Sequence, residues 1–275
     1  ILSDGQRTLD VWATWLNSQS YDQHAHFFQN GVRADVDTEQ FPHRLEYWPI
    51  IGGTRGSKDP VIADNLNVGE DYAVRVQQVK AAFSGPLTKH FNWKVNIFVY
   101  HKFGDRQANS MAHCFNTNFI GGTASNHCHV LSQPQRIDWL TAEVEPGIVG
   151  KFDRWTVDYT RTMRSFTAND QAVYAPYNQF GAFGSGSTLT TYPYAVVPNS
   201  FFQMDRLKLG VDITPTTRFY AYLYNGDMQN LQRNTNDWFN GFDLRLIKTT
   251  ASGITATAYA KLNETHNQLP PFLVA

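Results

Sequence analysis

Residues 205–262 read DRLKLGVDITPTTRFYAYLYNGDMQNLQRNTNDWFNGFDLRLIKTTASGITATAYAKL, and apolar and polar side chains alternate through four segments of this stretch. The apolar positions are Leu207, Leu209, Val211 and Ile213, then Phe219, Ala221 and Leu223, then Phe242, Leu244 and Leu246, and finally Ile254, Ala256, Ala258, Ala260 and Leu262. Successive side chains of a β-strand point to opposite faces, whereas a helix repeats every ~3.6 residues. The four segments are therefore predicted to be strands, each with one apolar and one polar face.

The connections between these strands differ in length. The first pair and the last pair are joined by tight turns, while a longer polar link, 225–237, joins the two pairs. Long antiparallel strands with short turns on one side and long loops on the other are typical of a transmembrane β-barrel. A soluble β-sandwich shows the same alternation with its apolar face turned toward a core, so this alternative remains open.

The rest of the chain repeats the alternation and gives about ten strands in all, arranged as hairpins. The further strands are predicted at 9–15, 32–36, 72–83, 91–99, 140–144 and 155–159. A polar turn containing His24 and His26 is predicted between the first two. The apolar positions change parity near Gln77 and Gln78, which predicts a β-bulge. Long connections are predicted near 39–69, 101–136 and 165–200.

Composition narrows the class of protein. Aromatic residues make up 14% of the chain, which fits the aromatic girdles of a barrel and also many sugar-binding sandwiches. The net charge of −1 gives no basic footprint, so we expect no nucleic-acid partner. No apolar run reaches the ~18 residues of a transmembrane helix, and a barrel needs none. Because the chain starts at Ile1 without a signal-peptide pattern, we expect residues 1–275 to be a single barrel segment of a larger barrel.

The two cysteines, Cys114 and Cys128, lie in the predicted connection 101–136 beside three histidines. An even cysteine count in a secreted or envelope protein favours a disulfide. A zinc or similar metal site is the second hypothesis, with ligands drawn from His113, Cys114, His127, Cys128 and His129. Covalent haem attachment is the third, although its usual Cys-x-x-Cys-His spacing is absent. Free thiols are the fourth.

Charged residues of both signs occupy the polar positions of the predicted strands. We predict that a hydrated or partner-filled lumen is lined by Arg33, Asp35, Arg154, Asp158, Arg206, Lys208, Asp212, Asp243 and Arg245. The alternative is the solvated face of an ordinary sheet. No Ser-His-Asp spacing, phosphate-binding Gly loop or His-Glu-x-x-His motif is found, so we expect no enzymatic activity, no catalytic residue and no cofactor held by this chain.

Several segments resemble a known family. They are NLN at 65–67 continuing to YAVRV at 72–76, RQANSMAHC at 106–114, CHVLSQ at 128–133, IDWL at 137–140, YTRTMR at 159–164, YPYAVVP at 192–198, DRLK at 205–208 and NGFDLRL at 240–246. Together they resemble the decahaem-cytochrome-associated outer-membrane β-barrels, the porin component of Mtr/Pio-type porin–cytochrome electron conduits. Members of that family have more strands than this chain supplies. The Cys-x-x-Cys near the start of some members is absent here.

The resemblance implies a location and a partner. It implies a barrel in the bacterial outer membrane, in contact with outer-membrane lipid, that sheathes a periplasmic multihaem c-type cytochrome. Haem c would lie on that partner, and electrons would cross the membrane along its haems for extracellular electron transfer. A general solute porin is the alternative within the membrane class. A secreted all-β carbohydrate-binding module is the alternative outside it.

Overall fold

The computed structural model describes residues 2–3, 7–45, 61–65, 72–112, 128–178 and 189–268, and these residues form strands and turns without a helix. These ranges therefore contain no helix long and apolar enough to cross a membrane. The strands in chain order are β1 (Leu2–Ser3), β2 (Arg7–Asn17), β3 (Ser20–Gln29), β4 (Val32–Arg44), β5 (Val61–Asn65), β6 (Ala73–Pro86), β7 (Phe91–Ala112), β8 (Cys128–Lys151), β9 (Trp155–Ala168), β10 (Val173–Asn178), β11 (Leu189–Tyr194), β12 (Ser200–Thr214), β13 (Thr217–Asn230), β14 (Thr235–Thr249) and β15 (Thr255–Asn267).

One large sheet contains most of these strands. Its neighbours follow the order β1-β2-β3-β4-β6-β7-β8-β9-β12-β13-β14-β15, and every pair along this path is antiparallel. β5 pairs in parallel with the start of β8, and β10 and β11 form a separate hairpin. The all-β antiparallel prediction is confirmed. Over the described part of the chain, no strand pairing closes the sheet into a barrel.

The predicted polar turn around His24 and His26 is wrong, because both residues lie inside β3. Asn30 (φ 51°) and Gly31 (φ 81°) form the actual turn between β3 and β4. Two successive residues with positive φ give the type I′ geometry that matches the twist of a two-residue hairpin. The Asn-Gly dipeptide was thus the sequence signal for this hairpin.

The strands are longer than the apolar alternation predicts. β7 has 22 residues and β8 has 24, so both run deep into the region predicted to be the connection 101–136. The predicted polar link 225–237 is also wrong, because β13 ends at Asn230 and β14 begins at Thr235. The additional residues keep their backbone pairing without alternating apolar side chains, so the apolar pattern does not reveal them.

The predicted β-bulge at Gln77 and Gln78 is wrong. Both residues pair in unbroken register with β4 on one side and with β7 on the other. The parity of the apolar residues changes for a different reason. Val74 and Val76 are buried on one face of the sheet, whereas Val79 lies on the opposite face with the other apolar residues of the strand.

The connections differ between the two ends of the strands. At one end, here the short-turn end, the connections 30–31, 87–90, 152–154, 215–216 and 250–254 are all tight. The other end, here the loop end, carries the long connections 45–72, 113–127 and 169–199, together with the tight turns 18–19 and 231–234. The two ends are therefore unequal, although tight and long connections do not alternate throughout.

The register assigns every strand residue to one of two faces. The apolar face carries, among others, Leu9, Val36, Val79, Val99, Val144, Val157, Leu209, Ala221, Leu244 and Ala258. The polar face carries, among others, His24, Asp35, Lys80, Asn96, Glu145, Arg206, Tyr224 and Asp243. No second layer covers the apolar face within the described ranges, and many of its large side chains are exposed.

Candidate interaction surface on the polar face

The residues predicted to line a lumen share the polar face. The register places Arg33, Asp35, Asp158, Arg206, Lys208, Asp212, Asp243 and Arg245 on this face. Arg154 lies in the turn between β8 and β9 at the short-turn end. A common face follows from the pairing, whereas the assignment of that face to a lumen remains a prediction.

Ion pairs cross the polar face between strands that lie two places apart in the sheet. Glu145 of β8 accepts a hydrogen bond from Thr162 of β9 at 2.7 Å and forms an ion pair with Arg206 of β12. Lys94 of β7 lies 2.6 Å from a carboxylate oxygen of Asp158 in β9. Exposed ion pairs contribute only about 0.2–1 kcal/mol each. The main effect of these pairs is therefore to neutralise charge on the polar face, and their contribution to stability is small.

Strands β2–β4 form an acidic part of the polar face. Its carboxylates are Asp10, Asp22, Asp35, Asp37 and Glu39, and its single guanidinium is Arg33. Two histidines lie among them, with His24 Nδ1 2.5 Å from Asp37 Oδ1 and His26 Nδ1 2.6 Å from Asp35 Oδ1. Sequence reasoning missed these partners because it interpreted the histidine segment as a turn.

A small buried apolar cluster lies at the loop end of the polar face. Its members, each at most 4% exposed, are Tyr72, Val74, Val76, Ala108, Ile137 and Val173. They come from β6, β7 and β8, from the residue before β6, and from the start of β10. Among the residues whose side chains the structure describes, these are the buried apolar ones, and they form no second apolar core in the large sheet.

The β10–β11 hairpin is attached to the polar face beside this cluster. Gln133 Nε2 of β8 donates to the backbone oxygen of Tyr174 at 3.0 Å and to the hydroxyl of Tyr194 at 2.7 Å. Trp139 Nε1 donates to Asp170, just before the hairpin, at 2.9 Å. The hairpin therefore lies against β7 and β8 at the loop end, inside the region predicted to be the connection 165–200.

Polar groups border the apolar face toward the loop end. His101 Nε2 lies 2.6 Å from Asp138 Oδ1. Arg161 lies 3.1 Å from Asp205, whose other oxygen accepts the hydroxyl of Tyr159 at 2.6 Å. These residues are on the same face as Val99 and Leu209, one or two positions beyond the apolar residues.

Aromatic rings border the apolar face toward the short-turn end. Phe152 stacks on Trp155 with ring centroids 3.8 Å apart, and Phe91 meets Phe152 edge to face at 5.5 Å. Phe91, Trp93 and Trp155 all lie on the apolar face. The apolar band thus lies between an aromatic border and a polar border.

The polar face carries cavities between its side chains. Four cavities are lined mainly by these side chains, and one of them has a volume of about 510 Å³. That cavity includes Lys208, Tyr220, Tyr222 and Arg245.

The cysteine hypotheses fall mostly outside the described residues. Cys114, His113 and His127 lie beyond the part of the chain that the structure describes. Cys128 and His129 begin β8, where they pair with β5. The disulfide, metal, haem and free-thiol hypotheses all remain predictions.

We expect Cys114 and Cys128 to form a disulfide. In a chain-entropy model, a closed loop of this length contributes about 3 kcal/mol to stability. Intact-mass measurement before and after reduction should then differ by the mass of two hydrogens. A control with both cysteines changed to serine should show no difference. A mass increase matching haem, or retained metal, would contradict the disulfide.

Comparison with protein-family models and with curated proteins found no match to this chain. Membership of the cytochrome-sheathing barrel family therefore remains a proposal. It depends on the segments that resemble that family and on the chemistry of the two faces.

Proposed function

We propose that this sheet is part of the wall of a bacterial outer-membrane β-barrel, and that the barrel sheathes a multihaem c-type cytochrome for transmembrane electron transfer. The observation that carries the proposal is the contrast between the two faces. An uncovered apolar band runs across eleven of the twelve antiparallel strands, all but β1, and the opposite face is polar and charged.

Lipid is the occupant of the apolar face that best fits these dimensions. On β7 the band runs from Phe91 at the aromatic border to His101 at the polar border. Ten steps of about 3.4 Å give about 34 Å along the strand, or about 26 Å in height at a typical barrel tilt of about 40°. Outer-membrane barrels have an apolar band about 25 Å tall with aromatic girdles.

The uncovered apolar face also argues against a soluble sandwich. A sandwich buries such side chains against a second sheet. Here Val11 is 59% exposed and Leu262 is 44% exposed, and no second sheet faces them within the described ranges. This geometry favours a membrane wall over a carbohydrate-binding module.

A protein partner suits the polar face. Its charges have both signs, and many are paired with each other, so the wall offers a mixed polar surface to another protein. A solute pore more often shows a ring of one charge sign at a constriction. In the complete barrel, the continuous hydrogen bonding between strands and the apolar band would insulate a haem chain inside the barrel from the surrounding lipid.

A general solute porin is the second candidate. The β10–β11 hairpin favours it, because a hairpin held against the polar face at the loop end would narrow the opening of a channel. The two candidates differ in whether a protein fills the lumen. Purified material from outer membranes should show a c-type haem spectrum for a sheath and none for a porin.

Reconstitution tests the sheath directly. We expect liposomes that contain the full-length barrel and its cytochrome to reduce an electron acceptor trapped inside when a reductant is supplied outside. Liposomes with the barrel alone should transfer no electrons, because the barrel holds no redox centre. A trapped dye of similar size serves as the control for leakage.

Two results would overturn the sheath. One is electron transfer by the haem-free barrel, and the other is no transfer by the barrel and cytochrome together. Leakage of dye through the barrel alone would support the porin. A protein that stays monomeric in buffer without detergent would overturn the membrane location itself.

A further inference from the structure

Several cations of the polar face lack the ion pairs found elsewhere on it. Lys94, Arg164 and Arg206 each contact a carboxylate of another strand, one or two places away in the sheet. Neither Lys208 nor Arg245 forms an ion pair with a described residue, and Lys208 Nζ lies 6.0 Å from the centroid of the Tyr222 ring. These two side chains line the cavity of about 510 Å³ on the polar face.

The cavity has the form of a groove near the short-turn end. We name it the cation–tyrosine groove, and its principal lining residues are Lys151, Lys208, Gly210, Tyr220, Tyr222 and Arg245. A Cβ at Gly210 would lie 3.0 Å from Thr156 Oγ1 and 3.7 Å from the ring of Tyr220. Because Gly210 has no side chain, the groove is deeper at this position, between Tyr220 and the cations.

The charge of the groove is positive. Its three cations face two carboxylates, Asp158 and Asp243. Asp158 is already engaged by Lys94 at 2.6 Å, outside the groove lining. Of the charged side chains that remain, three are cations and one is the carboxylate of Asp243, so the groove keeps a net positive charge. Its cations and tyrosine hydroxyls can bind carboxylate groups through charge-assisted hydrogen bonds.

The width of the groove sets the size of its occupant. Lys151 is on β8 and Arg245 is on β14, with β9, β12 and β13 between them. Four strand spacings of about 4.8 Å place these two positions about 19 Å apart along the sheet. One small anion cannot contact both, so the occupant carries several carboxylates across a surface of protein size.

We propose that the cation–tyrosine groove docks an acidic surface segment of the protein that fills the lumen. The inference deepens the proposed function and rests on it for the identity of the partner. The acidic part of the face on β2–β4 would meet a basic surface of the same partner. The charge distribution of the polar face would thereby fix one rotational orientation of the partner in the barrel.

An acidic peptide tests the groove without lipid or cytochrome. A fluorescein-labelled octaglutamate peptide should bind the full chain in detergent more tightly than an octalysine peptide, as measured by fluorescence anisotropy. The double variant K208Q/R245Q should weaken octaglutamate binding by about tenfold, which is about 1.4 kcal/mol, because two charge pairs with the peptide are lost. The variant K208R/R245K should bind within about threefold of the wild type, because both positive charges are retained.

Lys248 provides the matched control. It lies on β14, three residues from Arg245, but on the apolar face. K248Q should leave octaglutamate binding unchanged, and a heat-dependent gel shift should confirm that every variant is folded. The groove would not be the binding site if K248Q and K208Q/R245Q lost octaglutamate binding equally. The same conclusion would follow if the two peptides bound equally.

Co-purification with the cytochrome distinguishes this inference from the sheath proposal. If a cytochrome co-purifies, K208Q/R245Q should lower the haem absorbance per barrel, and K248Q should not. A normal haem ratio in K208Q/R245Q would overturn the docking role. Failure of the sheath proposal alone leaves the peptide result unchanged, since that measurement contains neither lipid nor cytochrome.

Discussion

Arginine at Leu209 or Leu244 is expected to lower the stability of the folded protein in lipid by about 2–4 kcal/mol each. The register places both residues on the apolar face at one level, with Ala221 of β13 between them. An arginine near the middle of the bilayer loses its hydration, and the strand backbone cannot move to restore it. Urea unfolding from lipid vesicles, followed by tryptophan fluorescence, measures the loss.

The double variant should cost about the sum, about 4–8 kcal/mol. This is comparable to the whole stability of a typical domain, so it is expected to prevent insertion altogether. If the apolar face met water instead, the same substitutions would change stability by only about 0.5 kcal/mol. The size of the effect thus separates lipid from solvent at this face.

Thr257 and Ala258 on β15 give a matched control. They are neighbours in sequence and lie on opposite faces, Thr257 on the polar face and Ala258 on the apolar face. Thr257→Arg should leave stability in lipid nearly unchanged, and Ala258→Arg should reduce it. If Leu209→Arg and Leu244→Arg both leave stability unchanged, the assignment of the apolar face to lipid is wrong.

Strands were predicted correctly where one face of the strand is apolar, because every second residue there is apolar. Leu207 to Val211 and Phe242 to Leu246 alternate without exception, and β12 and β14 include both segments. The same requirement ends at the borders of the apolar band. Beyond His101 the strand β7 continues for eleven residues, to Ala112, with no alternation for a sequence pattern to detect.

β3 was missed because its polar face is unusually polar. Asp22, His24 and His26 form a dense polar series, and Gln23 interrupts the apolar positions opposite them. Hydrophobic periodicity therefore gave a weak signal there. Turn chemistry gave a stronger one, since Asn30 and Gly31 specify a hairpin whatever the strands contain.

Predicting the interaction surface requires the pairing register of the strands as well as the face on which each residue lies. The sequence placed Arg206 and Asp158 on polar positions of their strands, which sufficed to predict a common face. Which charges meet depends on the alignment of strands distant in sequence. Arg206 reaches Glu145, sixty-one positions earlier, because β8, β9 and β12 are neighbours. The same alignment places Lys208 beside Tyr222, where it forms no ion pair with a described residue.

Alanine at Gly104 is expected to destabilise the protein by about 2–5 kcal/mol, from backbone strain and overpacking together. Gly104 lies in β7 with φ at +140°, a conformation that side chains rarely adopt. A Cβ there would lie 2.4 Å from the backbone oxygen of Ala73 and 2.8 Å from the Cα of Val74. Because these are backbone atoms of a paired strand, the contact can be relieved only by separating β6 from β7.

The position of Gly104 increases the consequence. It pairs with Val74 on one side and with Ile137 on the other, and these are 0% and 1% exposed. Separation of the strands there would open the buried cluster that supports the β10–β11 hairpin. We therefore expect Gly104→Ala to lower the urea midpoint and to increase proteolysis of the segment around Val173.

Gly253 is the control for backbone strain alone. It also has a positive φ, +82°, but a Cβ at Gly253 would meet nothing within 4 Å. Gly253→Ala should cost about 1 kcal/mol, the strain of a left-handed residue without a steric contact. The difference between the two variants measures the contact between β6 and β7. Equal unfolding midpoints for Gly104→Ala and Gly253→Ala would show that the strands are not packed closely at Ala73, and that the cluster on the polar face is looser than its burial implies.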